Sequence, residues 1–304
     1  MKILVATEKP FAKDAIDGIA EIVKEAGYEF TLLEKYTSAG ELCAAVAAAN
    51  ALIVRSDKVT REVIENAPNL KIVVRAGAGF DNLDLNACTE KGIVAMNTPG
   101  QNSNAVAELA VCFMIYLYRN SLTSGTGHEL KGKRLGIHAY GNVGMNVARI
   151  ARGIGMEIYA YDAFCPKEVI EKDGVIAVNS AEELYKTCDV VSLHIPATNE
   201  TKNSVNYALL NLMPKGAMLV NTARKEVINE SELEKIMTER TDFKYATDIM
   251  PANHEAMLKF GARYFSTPKK MGAETAEANV NAGLAAARQI VDFFKTGNIK
   301  FQVN

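Results

Sequence analysis

Between Arg134 and Asp162 the chain spells one complete nucleotide-binding unit. The apolar run Leu135-Gly136-Ile137-His138-Ala139-Tyr140 leads into Gly141-Asn142-Val143-Gly144, and Val147, Ala148, Ile150, Ala151 and Ile154 then recur at helical spacing. Gly155 stops that stretch, and a second run, Ile158-Tyr159-Ala160-Tyr161, ends on Asp162. The pattern predicts strand, glycine turn, helix, strand and acid, in that order. Such a turn lets backbone N–H groups approach a pyrophosphate at the positive end of the helix. Asp162 lies 18 residues beyond Gly144, close to the ~20 at which an acid accepts ribose hydroxyls. A phosphate on that ribose would be repelled by Asp162, and no arginine follows at once, so the pattern predicts NAD rather than NADP. One position is off-pattern: Ala139 stands where the first glycine of G-x-G-x-x-G belongs. A purely structural βαβ turn is the alternative reading.

Short apolar runs alternate with helical patterns along the whole chain. The runs are Ile3–Ala6, Ala51–Val54, Ile72–Val74, Ile93–Met96, Leu135–Ala139, Ile158–Tyr161, Val190–Ile195, Ala217–Val220 and Tyr245–Ile249. Between them fall helical stretches such as Ala15–Ala26, Ala105–Leu117 and Ser231–Glu239. This alternation predicts an α/β fold of two doubly wound, parallel-sheet, Rossmann-like domains with a cleft between them. The nucleotide unit normally opens its sheet, so the residues before it form a domain of their own. The expected division is 1–98, completed by 280–304, against 99–279, with a hinge at Thr98-Pro99-Gly100. The Ala-rich stretch Glu274 to Phe294 is expected to run back to the first domain as one long helix, leaving no room for a third, regulatory domain.

Composition narrows the class. A net charge of −2 gives no footprint for nucleic acid. Cys43, Cys88, Cys112, Cys165 and Cys188 are scattered and lack a C-x-x-C pair, which fits buried thiols in a reducing cytoplasm rather than disulfides or a metal site. The first residues read as a strand rather than a signal peptide, and no apolar stretch reaches membrane-span length. The helix around Ala105–Leu117 is apolar on more than one face, through Ala110, Cys112, Phe113, Met114, Tyr116 and Leu117, and is therefore expected to form a homodimer contact.

Further strings stand where strand ends of an open sheet meet ligands. They are Arg75-Ala76-Gly77-Ala78-Gly79-Phe80-Asp81-Asn82, Asn97-Thr98-Pro99-Gly100-Gln101-Asn102 with Ala107-Glu108, Ser192-Leu193-His194-Ile195-Pro196, and Val220-Asn221-Thr222-Ala223-Arg224-Lys225. With the glycine turn, these strings resemble the D-isomer-specific 2-hydroxyacid dehydrogenases, in order and spacing, over nearly the whole chain. Within that family the chain looks most like the members that oxidise 3-phosphoglycerate to 3-phosphohydroxypyruvate at the entry to serine synthesis. The resemblance implies that the first domain holds substrate and the second holds NAD. It makes Gly141, Asn142, Val143, Gly144, Asp162, His194, Ile195, Pro196, Thr222, Ala223, Asp248, Gly272 and Ala273 candidate cofactor contacts. Arg224 matches the family arginine that bridges the substrate carboxylate and C2 oxygen, a task suited to a forked guanidinium. Ala76, Gly77 and Ala78 are expected to turn backbone N–H groups toward that carboxylate, although a plain tight turn explains them too. Asn102 and Lys269 join the candidate substrate contacts. Arg55 and Ser56, with Lys58 nearby and Arg75 on a neighbouring strand end, are the expected phosphate site.

The acid–base position departs from the family. Where Pro-His and then Gly-Ala are expected, the chain reads Thr267-Pro268-Lys269-Lys270-Met271-Gly272-Ala273. Anchoring on Gly272-Ala273 places Lys270 in the histidine's position, as in a lysine-bearing branch of the family that the chain resembles. The partner glutamate is replaced by Asn253, with Glu255 and His254 nearby as substitutes. His128, His138, His194 and His254 do not fall at the acid–base position. A lysine serves at neutral pH when burial and a nearby cation lower its pKa, and loss of the glutamate would remove an anion that opposes this. Two alternatives stay open: a hydroxypyruvate or glyoxylate reductase, separated by the Arg55, Ser56 and Arg75 cluster, and a non-catalytic NAD-sensing protein, opposed by Arg224.

Overall fold

Strands whose every side chain is buried need a sheet covered on both faces, and the apolar runs of this chain are of that kind. In the computed structural model, which describes residues 1–304, Ala51–Val54, Val190–Leu193 and Met218–Asn221 are buried at every position. The chain divides into two compact units, Met1–Asn102 with Ala273–Asn304, and Ser103–Gly272. The division falls a few residues from the breaks read off the sequence, because Ser103 already opens a helix of the second unit.

Unit 1 is a five-stranded parallel sheet of β1 (Lys2–Thr7), β2 (Glu29–Glu34), β3 (Ala51–Val54), β4 (Ile72–Arg75) and β5 (Val94–Asn97), in the order β2-β1-β3-β4-β5. Separate apolar clusters cover its two faces, one around Leu42, Leu52 and Val63, the other around Ile19, Ile53 and Ile290. Each fully buried aliphatic of this kind contributes roughly 1.5–3 kcal/mol. The final helix, Ala276–Thr296, packs on Lys13–Glu25 so closely that a Cβ at Gly18 would lie 2.6 Å from Leu284. After it the tail returns to the sheet edge, where Val303 N donates to the Ala95 carbonyl at 2.8 Å.

Unit 2 is a seven-stranded parallel sheet of β6 (Arg134–His138), β7 (Glu157–Tyr161), β8 (Ile176–Ala177), β9 (Val190–Leu193), β10 (Met218–Asn221), β11 (Lys244–Thr247) and β12 (Tyr264–Ser266). Its order is β12-β11-β10-β9-β6-β7-β8, so the winding reverses between β6 and β9. Ligands bind outside the carboxyl ends of strands at such a reversal. No helix of the chain is long and apolar enough to cross a membrane.

The nine expected runs coincide with nine strands, and β2, β8 and β12 are additional. These three lie at or beside sheet edges, where burial is partial and the apolar signal is thin: in β2, Glu-Phe-Thr-Leu-Leu-Glu, no residue is fully buried. The helix Ser103–Tyr118 divides its apolar side chains between core and surface. Ala110, Phe113, Met114 and Leu117 are core residues of unit 2 itself, leaving Cys112 and Ile115 exposed. Of the cysteines, only Cys43, Cys88 and Cys188 are buried; Cys165 is partly so.

Candidate active site

The glycine turn follows β6. Gly141 is the extended residue before the helix Asn142–Gly153, and a Cβ there would meet nothing within 4 Å. At Gly144, by contrast, a Cβ would lie 2.5 Å from the Ala139 carbonyl. One glycine thus leaves room for an approaching ligand, and the other lets helix and turn close on each other. Ala139 has φ +80°, a conformation glycine adopts freely and alanine only at a cost of about 1–2 kcal/mol. Ala139→Gly is expected to raise unfolding free energy by up to about 1 kcal/mol, after the larger chain entropy of glycine is counted. Urea titration of the two proteins checks this, and equal or lower stability of the glycine variant contradicts it.

Asp162 follows β7 with its carboxylate fixed by three amides. Its Oδ2 accepts from Tyr140 N at 2.7 Å, and its Oδ1 from Phe164 N at 2.8 Å and Cys165 N at 2.9 Å. The carboxylate therefore stands beside the glycine turn, with Asn142 exposed and Val143 partly buried on the first helical turn.

Beyond β9, β10 and β11 lie buried polar atoms without partners: His194 Nε2, Thr222 Oγ1 and Asp248 Oδ1, with Ser192 Oγ inside β9. Orphaned buried groups are costly and rare, and a row of them on adjacent strand ends fits a ligand rich in donors and acceptors. Ile195 is buried beside His194, while Pro196 is exposed. Burial, with a smaller contribution from His138, pushes the His194 pKa down to about 3, so its imidazole is neutral. The Asp248 side chain accepts from Gly272 N at 2.7 Å and Met271 N at 3.3 Å. A Cβ on Gly272 would lie 2.8 Å from Asp248 Oδ2, so this loop requires glycine there. Ala273, the last residue of that string, is partly buried and opens the second segment of unit 1.

Arg224 and Lys270 meet on one carbonyl. Arg224 Nη1 donates to Ala223 O at 2.9 Å, and Lys270 Nζ donates to the same oxygen at 2.7 Å. Although one flank of Lys270 stays exposed, its ammonium end is crowded by protein. That desolvation lowers its pKa from the usual lysine value; Asp248 and Glu226 oppose the shift, and Arg224 adds to it. Burial raises the Asp248 carboxyl, with Lys270 opposing. Loss of the glutamate at position 253 thus does not leave the lysine without opposing anions, since Asp248 and Glu226 raise its pKa. Lys269 is exposed and touches the loop only through its carbonyl, which accepts from Thr267 Oγ1 at 2.7 Å. Asn253 points elsewhere, donating to Glu234 Oε2 at 3.0 Å and to the Glu230 carbonyl at 3.3 Å. His254 Nδ1 lies 2.8 Å from the Tyr264 hydroxyl, and Glu255 is exposed, so neither substitutes for the missing glutamate at Lys270.

In unit 1 the expected phosphate ligands are partly committed. The Arg55 guanidinium donates to the carbonyls of Lys9 at 3.4 Å and Pro10 at 3.2 Å and to Asn279, and lies over the Phe11 ring. Arg75 Nε donates to Arg55 O at 2.9 Å, and its guanidinium folds across Gly77, where a Cβ would sit 1.5 Å from Nη1. Ser56 and Lys58 are exposed. The amides of Ala76 and Gly77 are already used, on Val54 O and Arg75 O at 2.8 Å each, which corrects the expectation that both turn toward a carboxylate. The Ala78 amide has no such partner, and its carbonyl accepts from Asn97 Nδ2 at 2.6 Å. Asn102 is a half-exposed turn residue.

The family model described as "D-isomer specific 2-hydroxyacid dehydrogenase, NAD binding domain" matches residues 116–268. The solved structure of an NAD+-bound 3-phosphoglycerate dehydrogenase from Entamoeba histolytica is 49% identical, covers 100% of this chain and 98% of its own, and superposes with a TM-score of 0.88. The chain belongs to the D-isomer specific 2-hydroxyacid dehydrogenases. Among curated members of the family, the D-3-phosphoglycerate dehydrogenase of Methanocaldococcus jannaschii is 38% identical over 95% of this chain. The chain spans only 57% of that relative's length. The hydroxypyruvate reductase of Thermotoga maritima is 34% identical over 86% of this chain and 90% of its own.

A fork of donors, Arg224, stands beside an amine of lowered pKa, Lys270, on the unit that carries the NAD-binding domain. One contributor escaped the sequence reading: Asn221, fully buried, which clamps the turn bearing Ala223 and Arg224. Its signal was present, because an asparagine ending a buried strand needs local backbone partners.

Proposed function

We propose that this chain is an NAD-dependent cytoplasmic enzyme that oxidises 3-phosphoglycerate to 3-phosphohydroxypyruvate. The observation that carries the chemistry is the convergence of Arg224 and Lys270 on the Ala223 carbonyl; the likeness to the Entamoeba histolytica enzyme names the substrate. NAD fits the glycine turn, Asp162 and the orphaned His194, Thr222 and Asp248 atoms, and when bound it supplies the hydride acceptor. Arg224 grips the substrate carboxylate and C2 oxygen at two points and steadies that oxygen as it becomes a carbonyl. Lys270, in its neutral form, takes the C2 hydroxyl proton. Arg55, Ser56 and Arg75 are the proposed phosphate ligands, Arg55 exchanging the Lys9 and Pro10 carbonyls for the phosphate.

The test is NADH formation with 3-phosphoglycerate. Faster turnover of hydroxypyruvate or glyoxylate in the reverse direction would favour the second reading, a reductase of unphosphorylated substrates. Two observations favour that reading: the Thermotoga maritima relative and the engagement of Arg55 within unit 1.

Asp162 is the proposed discriminator against NADP. Asp162→Ala is expected to lower the ratio of kcat/KM for NAD over NADP by about tenfold or more, as the repulsion of a 2′-phosphate is lifted. A wild-type enzyme that uses NADP as well as NAD would show that Asp162 has another task.

The proposed assembly is a homodimer in which Cys112 and Ile115 of the helix Ser103–Tyr118 are covered. Sedimentation at micromolar concentration is expected to give a dimer, and Ile115→Asp a monomer. A monomeric wild type would overturn the proposal.

A further inference from the structure

Asn221 ends β10 with no surface exposure, and its carboxamide works in both directions. Its Oδ1 accepts from Ala223 N at 2.9 Å, and its Nδ2 donates to Arg224 O at 3.0 Å. These two bonds hold a turn of three residues whose middle carbonyl, Ala223 O, is the shared acceptor of Arg224 and Lys270. Lys270 comes from the loop after β12, 47 positions along the chain. That loop has its own clamp, Asp248, which accepts from Met271 N and Gly272 N. The amine is thus located by two buried side chains on adjacent strand ends.

We infer that Asn221 is a positioning residue for the acid–base, fixing the Ala223 carbonyl as the dock that keeps the Lys270 amine beside the Arg224 guanidinium. The inference rests on the reading of Lys270 as the proton carrier. A carbonyl is a suitable dock because it accepts from the amine in either protonation state and carries no charge. It therefore holds Lys270 in place without cancelling the influence of Arg224. The charged groups facing Lys270 are Arg224, which lowers its pKa, and Asp248 and Glu226, which raise it; burial is the largest influence and lowers it. With the turn unclamped, Lys270 is free to leave Arg224 for water and the two acids. Its proton affinity then rises toward that of an ordinary lysine.

The experiment measures Lys270 directly in the cofactor-free protein. Acetic anhydride labels neutral amines, and peptide mass spectrometry across pH gives the midpoint of Lys270 labelling. Asn221→Ala is expected to move that midpoint upward and to lower kcat by about 10- to 100-fold, the scale of an ångström-sized misplacement, with NADH affinity within about twofold of wild type. Asn221→Leu keeps the shape and adds no charge beside Lys270, but has neither the acceptor for Ala223 N nor the donor to Arg224 O. Its midpoint should also rise, and it decides the matter if the alanine variant does not fold. Unchanged midpoints in a folded variant would overturn the inference. Failure of the functional reading is separable: Lys270→Ala would then keep its rate, while the labelling midpoints still report on the clamp.

Discussion

Lys270→Ala is expected to lower kcat by about 10²–10⁴-fold, the usual contribution of a positioned proton carrier, while NADH binding changes little. The amine's hydrogen bond is to the Ala223 carbonyl, and the Asn221 clamp holds that turn by bonds of its own, so removing the amine leaves the turn in place. The sign of the pH dependence follows from the direction of its shift. Oxidation needs the neutral amine, so kcat should rise with pH through a pKa below the ordinary ~10.4 of lysine. The reverse reaction needs the ammonium form and should fall through the same value. Lys270→His is expected to recover only part of the rate. Adding Asn253→Glu should not help, because Asn253 faces Glu234 and Glu230, and a carboxylate there would meet like charge instead of an imidazole. Lys269→Ala should be mild, since only the carbonyl of Lys269 is bonded. A crippling Lys269→Ala beside a mild Lys270→Ala would shift the assignment by one residue.

These expectations mark the boundary between what the chain spells out locally and what only folding brings together. The fold was legible because fully buried parallel strands read as unbroken apolar runs, and β2 and β12 escaped because an edge strand does not. The glycine turn was legible because its chemistry is local: Gly141, Gly144 and Asp162 act within one βαβ unit. The substitution at Ala139 was visible as well, though not that the backbone there keeps a positive φ. Arg55 shows the opposite case. Its string promised a free cation, yet its guanidinium meets carbonyls 45 and 46 positions earlier and a side chain 224 positions later. The partners of a long side chain are set by tertiary placement, which no local pattern encodes. Asn253 was misplaced for the same reason. Counting residues after Asp248 located it in the chain, while the helix Glu230–Glu239 fixed where its carboxamide points.

Acid is expected to destabilise the free protein well before its carboxylates titrate. Burial pushes the pKa of His138 down to about 4 and that of His194 to about 3, against about 6.5 in an unfolded chain. Above about pH 6.5 both rings are neutral in either state, and neither affects stability. Below it the unfolded chain binds two protons that the folded chain refuses. Unfolding free energy should then fall by up to about 1.4 kcal/mol per pH unit for each histidine. Near pH 5 the combined loss is about 4 kcal/mol, a sizeable part of the roughly 5–15 kcal/mol of a typical domain. Asp248 acts in the opposite sense, because burial raises its pKa and lets the folded state take up a proton first. Urea unfolding followed by circular dichroism at pH 7 and pH 5 makes the comparison. His194→Asn, which replaces the ring by a group that does not titrate, should remove about half of the drop. Equal stability at the two pH values would mean that both rings reach water in the folded protein. His194 would then accept a proton like an exposed histidine, and its neutral imidazole at the end of β9 would be lost as a feature of the structure.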